Sequence, residues 1–312
     1  MRVLLTGGSG FIGAWIIRRL TRRGVAVRVF DISGNRSTVA EIAGADVARD
    51  LDWVVGDIRS TGEVKRAAAG CDRVIHLAGV LTPACKADPV RGAEINLIGT
   101  LNVFEAAREH GFPSVVYASS AGVFGPDDAR HPAPTTLYGA FKLAGEGCAR
   151  AYWADIRLPS IGFRPLVVYG PGRETGLSAG PSLACRAAAR GEPYVHPFTG
   201  RSGLVYVDDC AAMFEQALAA PVAGAVVYNL IGDVVAVDEV LSEIRRNVPD
   251  ARLRAEGPPL PIAPGIVEEG LDELLPGRQR TSLAQGIKAT IDHYRAPDPG
   301  PHTGGDCNGQ QA

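Results

Sequence analysis

Tyr138 and Lys142 lie in Tyr138-Gly139-Ala140-Phe141-Lys142, a spacing that puts a phenol and an ammonium on one face of a helix. Upstream, Tyr117-Ala118-Ser119-Ser120-Ala121-Gly122-Val123-Phe124-Gly125 ends a β-branched run with two adjacent hydroxyls. A phenol of ordinary pKa ~10 becomes a useful general base only when a cation stabilises its phenolate. Lys142 and a positively charged nicotinamide would both do so, and a serine hydroxyl would hold the oxygen of a reacting carbinol. These groups suit proton movement coupled to hydride transfer. A Tyr-x-x-x-Lys pair alone is a common surface pattern, so its meaning depends on what surrounds it.

The surroundings include a nucleotide-type turn. Thr6-Gly7-Gly8-Ser9-Gly10-Phe11-Ile12-Gly13 follows an apolar run and opens a helical one. In such a motif the first glycine allows a tight turn, the second lets backbone approach a pyrophosphate, and the third lets helix and strand pack closely. The helix N-terminus then offers free N–H groups and the positive end of its dipole. Asp31, eighteen residues after Gly13, ends the next β-branched run. A carboxylate there accepts hydrogen bonds from a ribose diol and repels a 2′-phosphate, so NAD is expected over NADP. Arg28 and Arg36 lie nearby, and Arg36 would soften that exclusion. Asp57 in Gly56-Asp57-Ile58 is placed to meet an adenine amine, or simply to make a turn. His76-Leu77-Ala78-Gly79 ends another strand with small residues against which a cofactor can lie, His76 itself reading as a core histidine.

Positioning these groups takes alternating strands and helices. Strands are expected at Val3–Leu5, Val25–Phe30, Asp52–Val55, Arg73–Leu77 and Ser114–Ala118. Helices are expected at Phe11–Arg22, Gly62–Ala69, Glu94–Glu109 and Leu137–Tyr152. The alternation implies right-handed βαβ units and an α/β, doubly wound parallel sheet of Rossmann type, with a smaller C-terminal substrate-binding lobe. Prolines interrupt the chain after about Ile161, leaving a helix at Leu183–Arg190. Strands at Leu204–Val207 and Val226–Leu230 are expected to return to the sheet, and helices at Val237–Asn247 and Leu283–Tyr294 to belong to the lobe. The divisions expected are 1–165 for the dinucleotide domain, 166–296 for the interleaved lobe, and 297–312 for a disordered tail.

Composition narrows the partners. With 46% hydrophobic and 21% charged residues and a net charge of −2, nothing favours nucleic acid or an anionic membrane. The six cysteines are scattered, with no Cys-x-x-Cys pair and no metal-ligand spacing, so reduced thiols and no metal site are expected. The first strand runs directly into the glycine turn without the layout of a signal peptide, and no apolar stretch is long enough to span a bilayer. A cytoplasmic protein is the expectation.

In combination these motifs resemble the extended short-chain dehydrogenases/reductases of the NAD-dependent epimerase/dehydratase family. The likeness runs from Met1 to about Tyr294, and includes Asn96, Phe163-Arg164-Pro165-Leu166-Val167-Val168-Tyr169-Gly170-Pro171-Gly172, Val205-Tyr206-Val207-Asp208-Asp209 and Tyr228-Asn229-Leu230. The resemblance implies Tyr138 as acid/base, Lys142 as the residue that orients the ribose and tunes Tyr138, and Ser120 as the holder of the reacting hydroxyl. Cofactor contacts are expected from Gly7, Gly10, Phe11, Ile12, Gly13, Asp31, Asp57, Ile58, Leu77, Ala78, Gly79, Asn96, Tyr138, Lys142 and Pro165. Substrate contacts are expected from Ser119, Ser120, Arg173, His196 and Arg201. A carbohydrate-like small molecule is the expected substrate, and a homodimer through the long helices is expected by analogy.

Two departures bear on the substrate. Dehydratases of the family carry Thr-Asp-Glu where this chain has Ser120-Ala121-Gly122, which argues against sugar dehydration. Nucleotide-sugar members place an arginine four residues before the aromatic of Val-Tyr-Val-Asp, whereas Arg201 lies five before Tyr206. Their second Arg-Pro-Gly-Asp segment is here Pro261-Ile262-Ala263-Pro264-Gly265. The diphosphate grip is therefore weakened. Three functions follow: an epimerase or oxidoreductase of a sugar or nucleotide sugar, a dehydrogenase of a small sugar acid or hydroxy acid, and a non-catalytic NAD sensor. The intact Ser120, Tyr138 and Lys142 argue against the last.

Overall fold

Alternating buried β-branched runs and amphipathic helices build a seven-stranded, all-parallel sheet. The computed structural model describes residues 1–263 and 265–296; the expected tail, 297–312, lies outside the described residues. The first half follows the order β1 (Arg2–Thr6), α1 (Phe11–Arg22), β2 (Ala26–Asp31), α2 (Ser37–Ala43), α3 (Ala45–Asp50), β3 (Asp52–Val55), α4 (Thr61–Ala68) and β4 (Arg73–His76). Then come α5 (Thr82–Ala87), α6 (Pro89–Ala93), a π-helical turn (Glu94–Ile98), α7 (Gly99–His110), β5 (Val115–Ala118), α8 (Leu137–Ile156), β6 (Ser160–Pro165) and β7 (Val167–Tyr169). The remainder is α9 (Gly180–Arg190), β8 (Tyr194–His196), β9 (Arg201–Tyr206), α10 (Val207–Ala217), β10 (Ala225–Leu230), β11 (Asp233–Ala236), α11 (Val237–Asn247), β12 (Leu253–Ala255), α12 (Leu271–Leu274) and α13 (Leu283–Arg295).

The main sheet has the order β10-β6-β5-β4-β1-β2-β3. The chain moves from β1 through β2 to β3 on one side and from β4 through β6 on the other. That reversal beside β1 opens a crevice at the carboxyl ends of β1 and β4, where ligands bind in open α/β sheets. Val3, Leu4 and Leu5 have no solvent exposure, as a strand covered on both faces requires. On α1, Ala14, Trp15, Ile16, Ile17 and Leu20 turn inward at helical spacing.

Two expectations need correcting. The strand around Leu204 does not return to the main sheet. Alongside β6 the edge is taken by β10, from Ala225 opposite Ser160 to Leu230 opposite Pro165. β9 instead forms a second sheet, parallel to β7 and antiparallel to β11. The long helix expected from Glu94 begins as a π turn before continuing as α7, and Asn96 within that turn is buried. Among the described residues no helix is long and apolar enough to cross a membrane.

Candidate active site

The glycine turn at the end of β1 is shaped by its neighbours at two positions and left open at a third. Gly7 has φ +73°, and a Cβ there would stand 2.6 Å from the Ala78 nitrogen, so the backbone after β4 passes directly against it. A Cβ on Gly13 would stand 2.7 Å from the Gly7 oxygen, which lets α1 press onto the turn. At Gly10 the same atom would meet only the Gly7 oxygen, at 3.4 Å. No protein group needs that space, as expected where a ligand approaches. α1 starts there with no side-chain cap and no acidic residue in its first turn. Its free N–H groups and positive dipole end therefore fit a pyrophosphate. Phe11 and Ile12 are half-buried beside it.

Asp31 is 8% exposed at the end of β2. One oxygen accepts from Ser9 N at 3.0 Å and Ser9 Oγ at 2.8 Å, and the other accepts from Ser33 N at 3.1 Å. The second oxygen, accepting one bond, keeps a lone-pair site for a diol hydroxyl. Arg28 turns instead to Asp52 and to the Ala67 and Ala69 carbonyls. Arg36 donates to the carbonyls of Ala48 and Arg49, ending α3, and stacks 5.0 Å over Trp53. Asp57 is held by Arg59 through both oxygens, which keeps its carboxyl below the usual range. Ile58 is buried against Gly99. Pro165 ends β6, half-buried opposite Leu230.

His76 is a satisfied core residue. Its Nδ1 lies 2.7 Å from Thr6 Oγ1 and its Nε2 lies 3.1 Å from Thr100 Oγ1. Burial, with Lys142 adding repulsion, pushes its pKa down to about 3, so it stays neutral. Thr6 also accepts from Ala78 N, and Thr100 donates to the Asn96 carbonyl at 2.7 Å. The Asn96 side chain clamps the segment after β4: Oδ1 accepts from Val80 N, and Nδ2 donates to Val80 O and Gly92 O, all at 3.1 Å. A Cβ on Gly79 would strike Asn96 Oδ1 at 2.6 Å and approach Lys142 Nζ at 3.6 Å. This chain of bonds fixes the Leu77-Ala78-Gly79 backbone between the glycine turn and Lys142.

At the end of β5, Ser120 caps a 3-10 turn, its Oγ accepting from Gly122 N at 3.0 Å. A Cβ on Gly122 would stand 3.3 Å from Ser120 Oγ and 3.7 Å from Tyr138 Cδ1, so the two side chains face one another across that glycine. Thr136 caps α8 through Gly139 N, placing Tyr138 in its first turn. Burial pushes the Tyr138 phenol above its ordinary value, and the Ser120 hydroxyl and Arg173 charge draw it back. One turn on, Lys142 is 6% exposed, donates to Ala118 O at 2.8 Å and lies 5.8 Å from the Tyr138 ring centroid. Burial lowers its pKa to about 8. Arg173 joins this group from the loop after β7, a second cation whose field reaches the phenol.

Three expected substrate residues are not brought here. Ser119 is buried and its hydroxyl donates to Glu146 at 2.5 Å, because the strand's alternation turns it away from Ser120. His196 has no exposure and donates from Nδ1 to Phe198 O, with Nε2 against Gly180, so it is a neutral core group. Arg201 starts β9 at an exposed edge and is occupied by Glu239 and the Val234 carbonyl. Glu146 was missed. It continues the Tyr138, Lys142 spacing by four more residues, has no exposure, and binds Arg164 through both oxygens, at 2.7 and 2.5 Å. A carboxylate on the inner face of an Ala-rich helix was the available signal.

Residues 3–230 match the NAD dependent epimerase/dehydratase family. The chain belongs to this family. A UDP-glucose 4-epimerase of Oryza sativa subsp. japonica is 37% identical over 131 residues, 39% of this chain and 35% of that protein. The first relatives match over little more than a third of their own length, 35–38%. A 2-alkyl-3-oxoalkanoate reductase of Stenotrophomonas maltophilia is 30% identical over 237 residues, 72% of this chain and 67% of its own. Among solved structures, the UDP-glucose 4-epimerase of Thermus thermophilus in complex with NAD superposes with TM-score 0.80 at 28% identity, covering 96% of this chain and 100% of that one. The family is of the extended short-chain dehydrogenase/reductase type, and its Rossmann sheet is the sheet seen here.

Proposed function

We propose that this chain is an NAD-dependent oxidoreductase acting at a secondary carbinol carbon of a carbohydrate-like substrate, with Tyr138 as acid/base. The observation that carries the reading is the meeting of Ser120 and Tyr138 across Gly122, with Lys142 buried behind them. Bound NAD supplies the acceptor for the hydride that leaves the carbinol carbon. Ser120 Oγ holds the carbinol oxygen, and the Tyr138 phenolate takes its proton as the carbonyl forms. The Ser120 hydroxyl and the Arg173 charge offset part of the burial that otherwise holds the phenol protonated. NAD is favoured over NADP by the Asp31 carboxylate and by Arg36, whose guanidinium is committed to α3 and not free for a 2′-phosphate.

The relatives named as UDP-glucose 4-epimerases suggest return of the hydride to the opposite face of a nucleotide sugar. Occupation of Arg201 by Glu239 and Val234 favours a second reading, net dehydrogenation of a smaller acid. Incubation with NAD and a panel of nucleotide sugars and hydroxy acids separates them: NADH absorbance marks the dehydrogenase, and conversion without net NADH the epimerase. In either case Tyr138→Phe is expected to keep NADH binding and to lower kcat at least 100-fold; unchanged turnover would sink the mechanism.

A further inference from the structure

Among the described residues Arg173 has no carboxylate partner. Its Cζ lies 5.5 Å from the Phe11 ring centroid, and Nη2 donates to Ser178 Oγ at 2.9 Å. Nε is out of reach of solvent and has no hydrogen-bond partner. The ionisable groups nearest the guanidinium are Tyr138 and Cys210, both kept neutral by burial, with no aspartate or glutamate among them. By contrast Arg59 is paired with Asp57 and Glu94, Arg164 with Glu146, and Arg201 with Glu239. A desolvated guanidinium left unpaired is unfavourable, so the position makes physical sense when an anion arrives.

Its neighbours indicate which anion. A Cβ on Gly176 would stand 3.2 Å from Leu81 Cδ1 and 3.4 Å from Arg173 Nη2, so the loop after β7 and the loop after β4 meet over the crevice beside Tyr138. The exposed side chains at that rim are mixed: Leu81 at 43% and Leu177 at 55% lie beside Thr175 and beside Glu174, which is paired with Arg186. One guanidinium flanked by Leu81 and Leu177 suits a single carboxylate on a short apolar body; a diphosphate is held by more charged donors than the one found here. We propose that Arg173 is the anion anchor of the substrate site, and that the substrate is a secondary alcohol or ketone bearing one carboxylate. This rests on the reading that Ser120 and Tyr138 hold the reacting oxygen.

The test is a titration of the enzyme–NADH complex with 3-hydroxybutyrate and, as an uncharged counterpart, 2-butanol, by calorimetry on the wild type, Arg173→Met and Arg173→Lys. Carboxylate binding is expected to weaken at least tenfold in Arg173→Met and to recover in part in Arg173→Lys. The uncharged alcohol should not distinguish the three proteins, and the Kd for NADH alone should stay within twofold, which also certifies the fold. A tenfold loss of NADH affinity in Arg173→Met would assign the guanidinium to the cofactor's pyrophosphate and overturn the proposal. So would 3-hydroxybutyrate binding that is equal, or equally absent, in wild type and Arg173→Met. Because the readout is binding, it is separable from the proposed reaction. Tyr138→Phe should keep the carboxylate affinity, and a failure of that variant to lose turnover would strike the mechanism and leave the anion site to its own titration.

Discussion

Lys142 combines a place beside Tyr138 with a thermodynamic cost. Its ammonium is 6% exposed and its nearest acceptor is one backbone carbonyl, so burial brings its pKa from 10.5 to about 8. The unfolded chain therefore holds a proton between about pH 8 and 10.5 that the folded chain has released. Stability contributed by this residue must rise with pH across that window and be lowest below it. At about 1.4 kcal/mol per pKa unit the cost at neutral pH is on the order of 3 kcal/mol, before crediting the Ala118 hydrogen bond. Lys142→Met should thus abolish turnover while making the protein more stable at pH 7 by roughly 1–3 kcal/mol, an advantage that fades toward pH 10.5. Urea unfolding at pH 7, 9 and 10.5 measures this directly. A variant less stable than wild type at pH 7 would mean that the ammonium is held by more than the carbonyl seen.

At the scale of elements, α8 is the part on which the site depends. Tyr138, Lys142 and Glu146 follow one another at helical spacing, and Glu146 ties that face to β5 through Ser119 and to β6 through Arg164. Removing one partner of a buried pair leaves a stranded charge, at about 3–5 kcal/mol. Arg164→Met should therefore cost that much in urea unfolding and lower kcat as α8 shifts, whereas Arg164→Met with Glu146→Leu should recover most of the stability. A double variant no more stable than Arg164→Met would show that packing, not the stranded carboxylate, is responsible. The same elements show what the sequence reveals. The register of α1, β3 and α8 was legible because apolar spacing and the glycine turn agree there. β6 was not, because Ser160 and Gly162 dilute its strand character: Gly162 is required by Tyr117, whose hydroxyl would lie 2.7 Å from any Cβ. α10 was hidden because β9 runs into it without a break, its first turn carrying Asp208 and Asp209. Ser120, Tyr138 and Lys142 could be named from types and spacing. Ser119, His196 and Arg201 were misplaced because alternation along a strand and pairing across a loop are not written in local spacing.

At the scale of the molecule, the question is whether two sheets make two units. One apolar core runs from Val3 and Ile16 through Phe163, Val205 and Phe214 to Ile244 and Ile291, so the second sheet and the C-terminal helices share the interior of the first. Polar joints cross the same boundary. Trp15 Nε1 donates to Pro171 O at 3.0 Å, and Arg19 bonds Glu215 at 2.7 Å and Asp208 at 2.9 Å, fastening α1 to α10. The helix whose first turn opens on the glycine turn is thus anchored at its middle to the part that follows β7. A shared core of this kind should unfold in one cooperative transition. Fluorescence, reporting in part on Trp15 at the joint, and far-UV circular dichroism should trace superimposable urea curves. Arg19→Met should move both midpoints together by about 2–3 kcal/mol, less than a fully buried break because Arg23 still reaches Glu215. Separation of the two curves in that variant would show that the joint, and not the common core, makes the molecule one folding unit.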